Sequence, residues 1–511
     1  VLVSKVLFVV PPYTYWGVEA IGTWPPLQIA YLAGAVEKAG HEARIFDVMN
    51  TEGGTFDSIR AEVERYAPDV VVAWDYLPVT GAISTAMVPN ALRALGIAKE
   101  VDPSIRTIMG GPFPTFRHEE LLRDPARRVD YVLRGEAEET IGELLTALPS
   151  GRLDGVKGLA FRRGLEVVST EMRSHVANLD TLKPAWHLLD WKLYRYHIEP
   201  YGRMASVLTS RGCMMGCSFC SHRAFWRADW RARSPEDSVA EMRLLVEKYE
   251  VKAITMIDPY PTSDRKRWER LLDLLIEAKL GVMLLMETRV EDIVRDADIL
   301  HKYREAGIIH LYLGAEGSTD EMLVSLNKGT TVSTNEQALR LARENDLITE
   351  ASFMIGYPTE TPESIERTIE VAIRLNPDVA VFPVLTPMPF TPLFEQVRDR
   401  VRVLDYSKYN LATPIIEPYA MSLEDVNVAL GKCYMSFYAN KLPEVLALPD
   451  GFKRRYMLSA FQEMMKSYGK HFAHLGEKMP KMHGAVAGGK MPDFVRQMLG
   501  SAAPGPRAKV G

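Results

Sequence analysis

Short runs of β-branched and aromatic residues alternate with helical patterns along the first 150 residues. The runs KVLFVV (5–10), EARIFDV (42–48), DVVVAW (69–74), RTIMGG (106–111) and DYVLRG (130–135) are β-rich, and each stops near Gly, Pro or Asp. Between the first two lies LQIAYLAGAVEKAG (27–40), with apolar residues at helical spacing and Gly40 placed to cap its end. Strands alternating with helices predict an α/β domain with a parallel, doubly wound sheet over 1–150. Such sheets bind ligands at the carboxyl ends of their strands. There the chain is rich in Pro, Gly and aromatics: PPYTYWG, WDYLPVTG and GGPFPTF.

The pattern then changes. Residues 151–203 read as a connector, with GLAFRRGLEVVS forming a β-hairpin turned at Gly164 and an aromatic-rich crossing segment after it. From 204 a second series begins: MASVLTS, AITMID (253–258), GVMLLMETR (281–289), HLYLGAEG (310–317), TEASFMIG (349–356) and DVAVFPVL (378–385). Helical patterns such as PEDSVAEMRLLVEKY (235–249) separate them. Six β/α units predict a partial (β/α)6 barrel over 204–395, with its chemistry at the strand C-termini. A mainly helical region follows over 396–490. The segment 491–511, ending GSAAPGPRAKVG, is predicted to be disordered.

Composition narrows the class. The chain has 511 residues, 47% hydrophobic and 25% charged, which is ordinary for a soluble globular protein. A formal net charge of −5 gives no basic surface suited to nucleic acid or anionic membrane. The opening VLVSKVLFVVPP has too short an apolar stretch for a signal peptide and reads as a buried first strand. No apolar run is long enough to span a membrane. Four cysteines, three of them bunched, are no disulfide framework and suit a reducing cytoplasm.

The bunch is Cys213, Cys217 and Cys220, in RGCMMGCSFCSHRAFW directly after the first barrel run. The spacing C-x3-C-x2-C on a loop suits a soft metal. Zinc would need four ligands, and His222 could supply the fourth. Three thiolates alone suit a four-iron, four-sulfur cluster with one iron left open. Cys433, alone in a helical pattern, reads as a small buried hydrophobe.

This spacing, with Phe219 as the aromatic before the third cysteine and a barrel strand before the loop, resembles the radical S-adenosylmethionine superfamily. The resemblance implies that the open iron chelates S-adenosylmethionine. It extends to LYLGAEGS, with Glu316 reaching the cofactor, to FMIGYPTET, with Gly356 near adenine and Glu360 opening a helix, and to VLTPMPFTPLFE. Glu287 of the third strand is assigned to cofactor contact with them. One departure is the second-strand end, where the family's Gly-Gly-Glu is replaced by MIDPYPT and Asp258 is the acid that remains. A carboxylate there is a candidate general base, or else a helix N-cap or a hydrogen-bonding partner of the cofactor.

A doubly wound domain before such a barrel resembles the cobalamin-binding subgroup, with GTWPPLQIAYLAGAVEKAGHE and YVLRGEAEET carrying the likeness. It implies cobalamin at the strand ends, near Pro12, Trp24, Gly110, Gly111 and Thr115. The D-x-H-x-x-G signature of a lower axial histidine is absent, so the cobalt is expected to lack a protein histidine. Over nearly the whole chain the sequence is similar to class B cobalamin-dependent C-methyltransferases, including those that methylate pyrroles in aminocoumarin antibiotics, and to anaerobic magnesium-protoporphyrin monomethyl ester cyclases. The expected function is methyl transfer from S-adenosylmethionine through methylcobalamin to a carbon of a small molecule. The alternatives are the cyclase reaction and a non-catalytic cobalamin-binding regulator with a structural metal. An electron donor such as flavodoxin or ferredoxin is the implied partner. The arginines of HRAFWRADWRAR, with Arg211 before them, read as a solvated, salt-bridged edge, and YHIEPY as either cavity lining or linker packing.

Overall fold

The computed structural model describes residues 3–13, 21–75, 85–199 and 201–476, with backbone only for 465–476. Strands β1 (Lys5–Val10), β2 (Glu42–Asp47), β3 (Val70–Trp74), β4 (Arg106–Gly110) and β5 (Tyr131–Leu133) pair in parallel, in the order 2-1-3-4-5. The central strands β1, β3 and β4 are buried on both faces, while the edge strand β2 is partly exposed. Val6, Phe8 and Val10 of β1 belong to one core and Leu7 and Val9 to the other, so both parities of the strand are apolar. Helices Leu27–Lys38 and Glu138–Ala147 cover the first core, and Phe56–Tyr66 and Val88–Val101 the second.

The predicted hairpin forms as β6 (Leu159–Arg163) and β7 (Glu166–Ser169), with Gly164 at φ +63° in its turn. It is no free connector element. β6 pairs antiparallel with β5 and extends the first sheet to seven strands. The aromatic segment beyond it packs with the second half of the molecule, where Trp186, Trp191, Tyr194 and Tyr196 are all buried in the barrel's core. Tyr196 lies in the two-residue edge strand β8 (Arg195–Tyr196).

The second sheet begins at β9 (Gly202–Val207). A small antiparallel ribbon follows, β10 (Ser210–Gly212) with β11 (Trp230–Ala232), whose strands are too short to show a periodic pattern in the sequence. Then come β12 (Val251–Met256), β13 (Met283–Thr288), β14 (Ile308–Glu316), β15 (Ile348–Phe353) and β16 (Val379–Val381). β9 and β12 to β16 run parallel in chain order, with β8 antiparallel at the edge. This is the expected (β/α)6 arrangement. Its helices close in defined ways: Ser234, Asp264, Thr331 and Thr361 each accept a hydrogen bond from a first-turn amide. Two long helices, Leu423–Ala447 and Phe452–Gly476, make the C-terminal region mainly helical. No helix among the described residues is long and apolar enough to cross a membrane. The expectation for 491–511 lies outside the described residues, as do parts of PPYTYWG and WDYLPVTG.

Candidate functional site

The cysteine loop hangs from the β10–β11 ribbon. Gly212 ends one strand at φ +94°, and a Cβ there would lie 2.1 Å from Asp229 O, so only glycine fits the loop's mouth. Cys213, Cys217 and Cys220 all lie within the loop, with Cys220 N donating to Cys217 O at 3.3 Å. The helix Ser221–Phe225 starts at once after the third cysteine. Burial raises the Cys213 thiol and pushes Cys220 up to about 12, while Lys328 acts in the opposite sense on both. Thiols so raised ionise only with a positive partner, which iron supplies. Lys328, nearly buried, also holds Glu316 at 3.1 Å. Among the described residues no three His, Cys, Asp or Glu side chains converge as a single ion requires. Three thiols without a fourth protein ligand are the donor set of a cluster in which each takes a separate iron. Cys433 is fully buried in the helix Leu423–Ala447.

The other family-implied residues fall around the barrel's upper end. Phe219 packs against the cluster of Leu326, Met354, Tyr357 and Leu393. Glu316 ends β14 at φ +63°, bonded to Lys328 and to Ser352 Oγ at 2.9 Å. Gly356, at φ +83°, donates its N–H to Glu360 Oε2 at 2.9 Å. Glu287 sits across β13, β14 and β15 from Tyr312 and Glu350 in register. Burial, then Asp258, Glu350 and Glu316, raise its carboxyl well above the usual range.

Asp258 lies at the second-strand end, as expected, but its side chain is already engaged. It is fully buried, and its carboxylate accepts from Thr209 N at 2.9 Å, Thr209 Oγ1 at 2.7 Å and Ser210 Oγ at 2.7 Å. It therefore faces no open space and caps no helix. It ties the end of β12 to the two residues that lead into the cysteine loop. Burial still raises its carboxyl, because the hydrogen bonds only partly offset desolvation.

The first sheet presents its strand ends to this loop. A partly open cleft is lined from that side by Trp74, Pro112, Gly135 and Glu136, and from the barrel side by Leu208, Arg211, His222 and Trp226. Three buried polar atoms at or beside the cleft lack partners: His222 Nδ1, Trp226 Nε1 and Asp75 Oδ1. A corrin edged with amide side chains would offer both donors and acceptors to them. Gly110 and Gly111 serve the chain itself here. A Cβ on Gly110 would lie 2.0 Å from the Trp74 ring, and one on Gly111 1.8 Å from Asp75 Oδ1. Thr115 accepts from Gly135 N at 2.9 Å and donates to Gly111 O, joining the ends of β4 and β5. Pro12 O accepts from Asn90 at 2.6 Å. Trp24 instead packs into the barrel's core, its indole N–H 3.4 Å from Thr255 Oγ1.

The arginine-rich stretch is the clearest correction. Arg223 and Arg227 are exposed, but Arg211 and Arg233 are buried and Arg231 nearly so. Arg211 bonds Glu136 at 2.9 Å and Glu138 at 2.7 Å, and Arg231 bonds Glu136 at 2.9 Å. Arg233 is paired with Glu241 and Asp237. The repeated charge is an internal joint, and spacing alone could not reveal partners some 75 positions away. Phe225 and Trp226 pack together beside Phe390, as aromatics that fill the loop should.

Residues 207–372 match the model of the radical SAM superfamily, and residues 16–145 that of the B12 binding domain. The anaerobic magnesium-protoporphyrin IX monomethyl ester cyclase of Cereibacter sphaeroides is 37% identical over 93% of this chain and 77% of its own length. An uncharacterized methyltransferase of Pyrococcus horikoshii is 31% identical over 87% of this chain and 94% of its own. In fold, the radical S-adenosylmethionine methyltransferase TsrM from Kitasatospora setae superposes with a TM-score of 0.68 at 16% identity, over 92% of this chain and 100% of that one. The chain belongs to the cobalamin-binding radical S-adenosylmethionine enzymes. Its cofactors are a four-iron, four-sulfur cluster, S-adenosylmethionine and cobalamin.

Proposed function

We propose that this enzyme is a C-methyltransferase that moves a methyl group from S-adenosylmethionine, by way of cobalamin, to a carbon of a small-molecule natural-product intermediate such as an aromatic or pyrrole ring. The carrying observation is the cleft itself. It brings the strand ends of the B12-type sheet and the residues flanking the cysteine loop to one cavity. Cys213, Cys217 and Cys220 would each bind one iron, Phe219, Glu287, Glu316 and Gly356 would surround S-adenosylmethionine, and Trp74, Pro112, Trp226 and His222 would hold the corrin. The bound cobalamin supplies a methyl carrier; the chain's own part is to hold two cofactors at one opening and exclude water. Asp258, its carboxylate engaged by Thr209 and Ser210, serves the entry to the cysteine loop.

A methyl-labelled test decides the matter. The anaerobically reconstituted enzyme, given reductant, cobalamin and trideuteromethyl S-adenosylmethionine, is expected to pass the labelled methyl to a pyrrole or other aromatic acceptor. The second reading, oxidative cyclisation of a magnesium-porphyrin monomethyl ester, rests on the 37% and 36% identity to relatives with that name. Conversion of that porphyrin ester without label uptake would establish it in place of methyl transfer. Electron paramagnetic resonance of the cob(II)alamin form is expected to show no nitrogen splitting from a lower ligand.

A further inference from the structure

The cysteine loop is closed at its base by the β10–β11 ribbon, in which Arg211 stands directly opposite Arg231. Both guanidinium groups reach into the other half of the molecule and meet on one carboxylate. Arg211 Nη1 binds Glu136 Oε1 at 2.9 Å, and Arg231 Nη1 binds Glu136 Oε2 at 2.9 Å. Glu136 also accepts the Val176 N–H at 2.7 Å, so both its oxygens are in use. Arg211 is further held by Glu138 at 2.7 Å and lies over the Tyr31 ring, 4.9 Å from its centroid. Glu136 and Glu138 follow β5 of the cobalamin-binding sheet, and Gly135 to Glu138 form part of the cleft wall.

Side-chain exposures of 3% for Arg211 and 2% for Glu136 make this an expensive joint to dehydrate. A buried pair of this kind is weak evidence for stability, since apolar residues of similar volume often do as well or better. What it supplies is direction. Two arginines on paired strands, converging on one carboxylate, allow the ribbon a single orientation against β5. The ribbon carries the cysteine loop, and Arg211 of the ribbon lines the cleft together with His222, Phe225 and Trp226 of that loop.

We propose that Glu136 is a positioning residue for the reaction: through Arg211 and Arg231 it fixes the cysteine loop at a set distance from the cobalamin held by the first sheet. Glu138 adds to this through Arg211 alone, so its loss has a smaller effect of the same kind. The proposal rests on the reading that the corrin occupies the cleft.

The test uses the full chain with reconstituted cluster and cobalamin, comparing wild type, Glu136→Gln and Glu138→Gln. Pulsed dipolar spectroscopy between the reduced cluster and cob(II)alamin measures their separation, and hydrogen–deuterium exchange measures opening of residues 213–229. Glu136→Gln is expected to keep one four-iron cluster (about four iron) and about one cobalamin per chain, to broaden the distance distribution, to raise exchange in the loop at least several-fold, and to slow S-adenosylmethionine-dependent methylation of bound cob(I)alamin about tenfold or more. Glu138→Gln follows in the same direction and serves where the first variant folds poorly. A Glu136→Gln protein with a lower melting temperature but unchanged loop exchange and distance would reduce the joint to a stability element and overturn the proposal. If wild type itself shows no dipolar interaction, the cleft reading fails, and unchanged loop exchange in the variants then overturns the joint as well.

Discussion

The two large sheets share a parallel, helix-crossed connectivity and differ in what their alternate residues do. In the first sheet both parities are apolar: Val6, Phe8 and Val10 face one core, Leu7 and Val9 the other. In the second, one parity remains apolar, as in Met256, Met286 and Leu311, while the other carries Ser206, Thr255, Glu287, His310, Tyr312 and Glu350. A sheet filled on both faces can take a ligand only past its strand ends. A curled sheet with one polar parity encloses a place for chemistry along the strands themselves. The first half of the molecule is thus built to carry a cofactor at its rim, and the second to surround one.

Breaking this contrast has graded consequences. The largest belongs to the curled half. Replacing Cys213, Cys217 and Cys220 together with alanine is expected to abolish iron binding, measured by iron assay after reconstitution, with far-ultraviolet circular dichroism unchanged and cobalamin still taken up by the first half. Next is Asp258→Ala, which strands the Thr209 N–H and two hydroxyls in a buried place and should cost about 3 kcal/mol in urea unfolding. In the flat half, Gly110→Ala drives a methyl into the Trp74 ring and should cost about 1–3 kcal/mol in the same assay. It tests whether that rim tolerates repacking; no loss of stability would show that Trp74 simply swings away.

The smallest effect is one of sign. The Glu287 carboxyl is raised in the folded protein, so folding is penalised progressively as pH climbs above about 4.3, its unfolded value, toward the folded one. Below the unfolded value both states hold the proton and the penalty vanishes. Glu287→Gln should therefore raise the melting temperature at pH 8 and leave it nearly unchanged at pH 4. An equal shift at both values would mean the side chain acts by packing alone.

Much of this contrast is legible in the chain. KVLFVV has no polar parity, while HLYLGAEG and TEASFMIG do, and the three cysteines announce their loop by spacing. The order of strands follows from alternation with helices. What the sequence hides is pairing at a distance. The three-residue strands of the ribbon are too short for a periodic signal, and their arginines look solvent-bound until Glu136 is seen against them. Asp258 resembles a catalytic acid by position because its strand end is where such groups sit. Only the fold shows that Thr209 and Ser210 have already occupied it. Glu287, by contrast, lies in an apolar run, GVMLLMETR, that gives no hint of its carboxylate neighbours.

Tyr456 has a consequence for how the protein is made. It comes from the last described helix, yet it lies buried within the barrel's core, its hydroxyl 2.5 Å from that of Tyr196 and 2.7 Å from His310 Nδ1. Lys453, one turn earlier, holds Asp378 at the start of β16. The cobalamin-binding sheet closes on residues that leave the ribosome early. The barrel's floor, opposite the cysteine loop, waits for a helix translated some 75 residues after its final strand. Until that helix emerges, Tyr196 and His310 lack the hydroxyl that bonds them both, and the base of the six strands lacks its last buried ring.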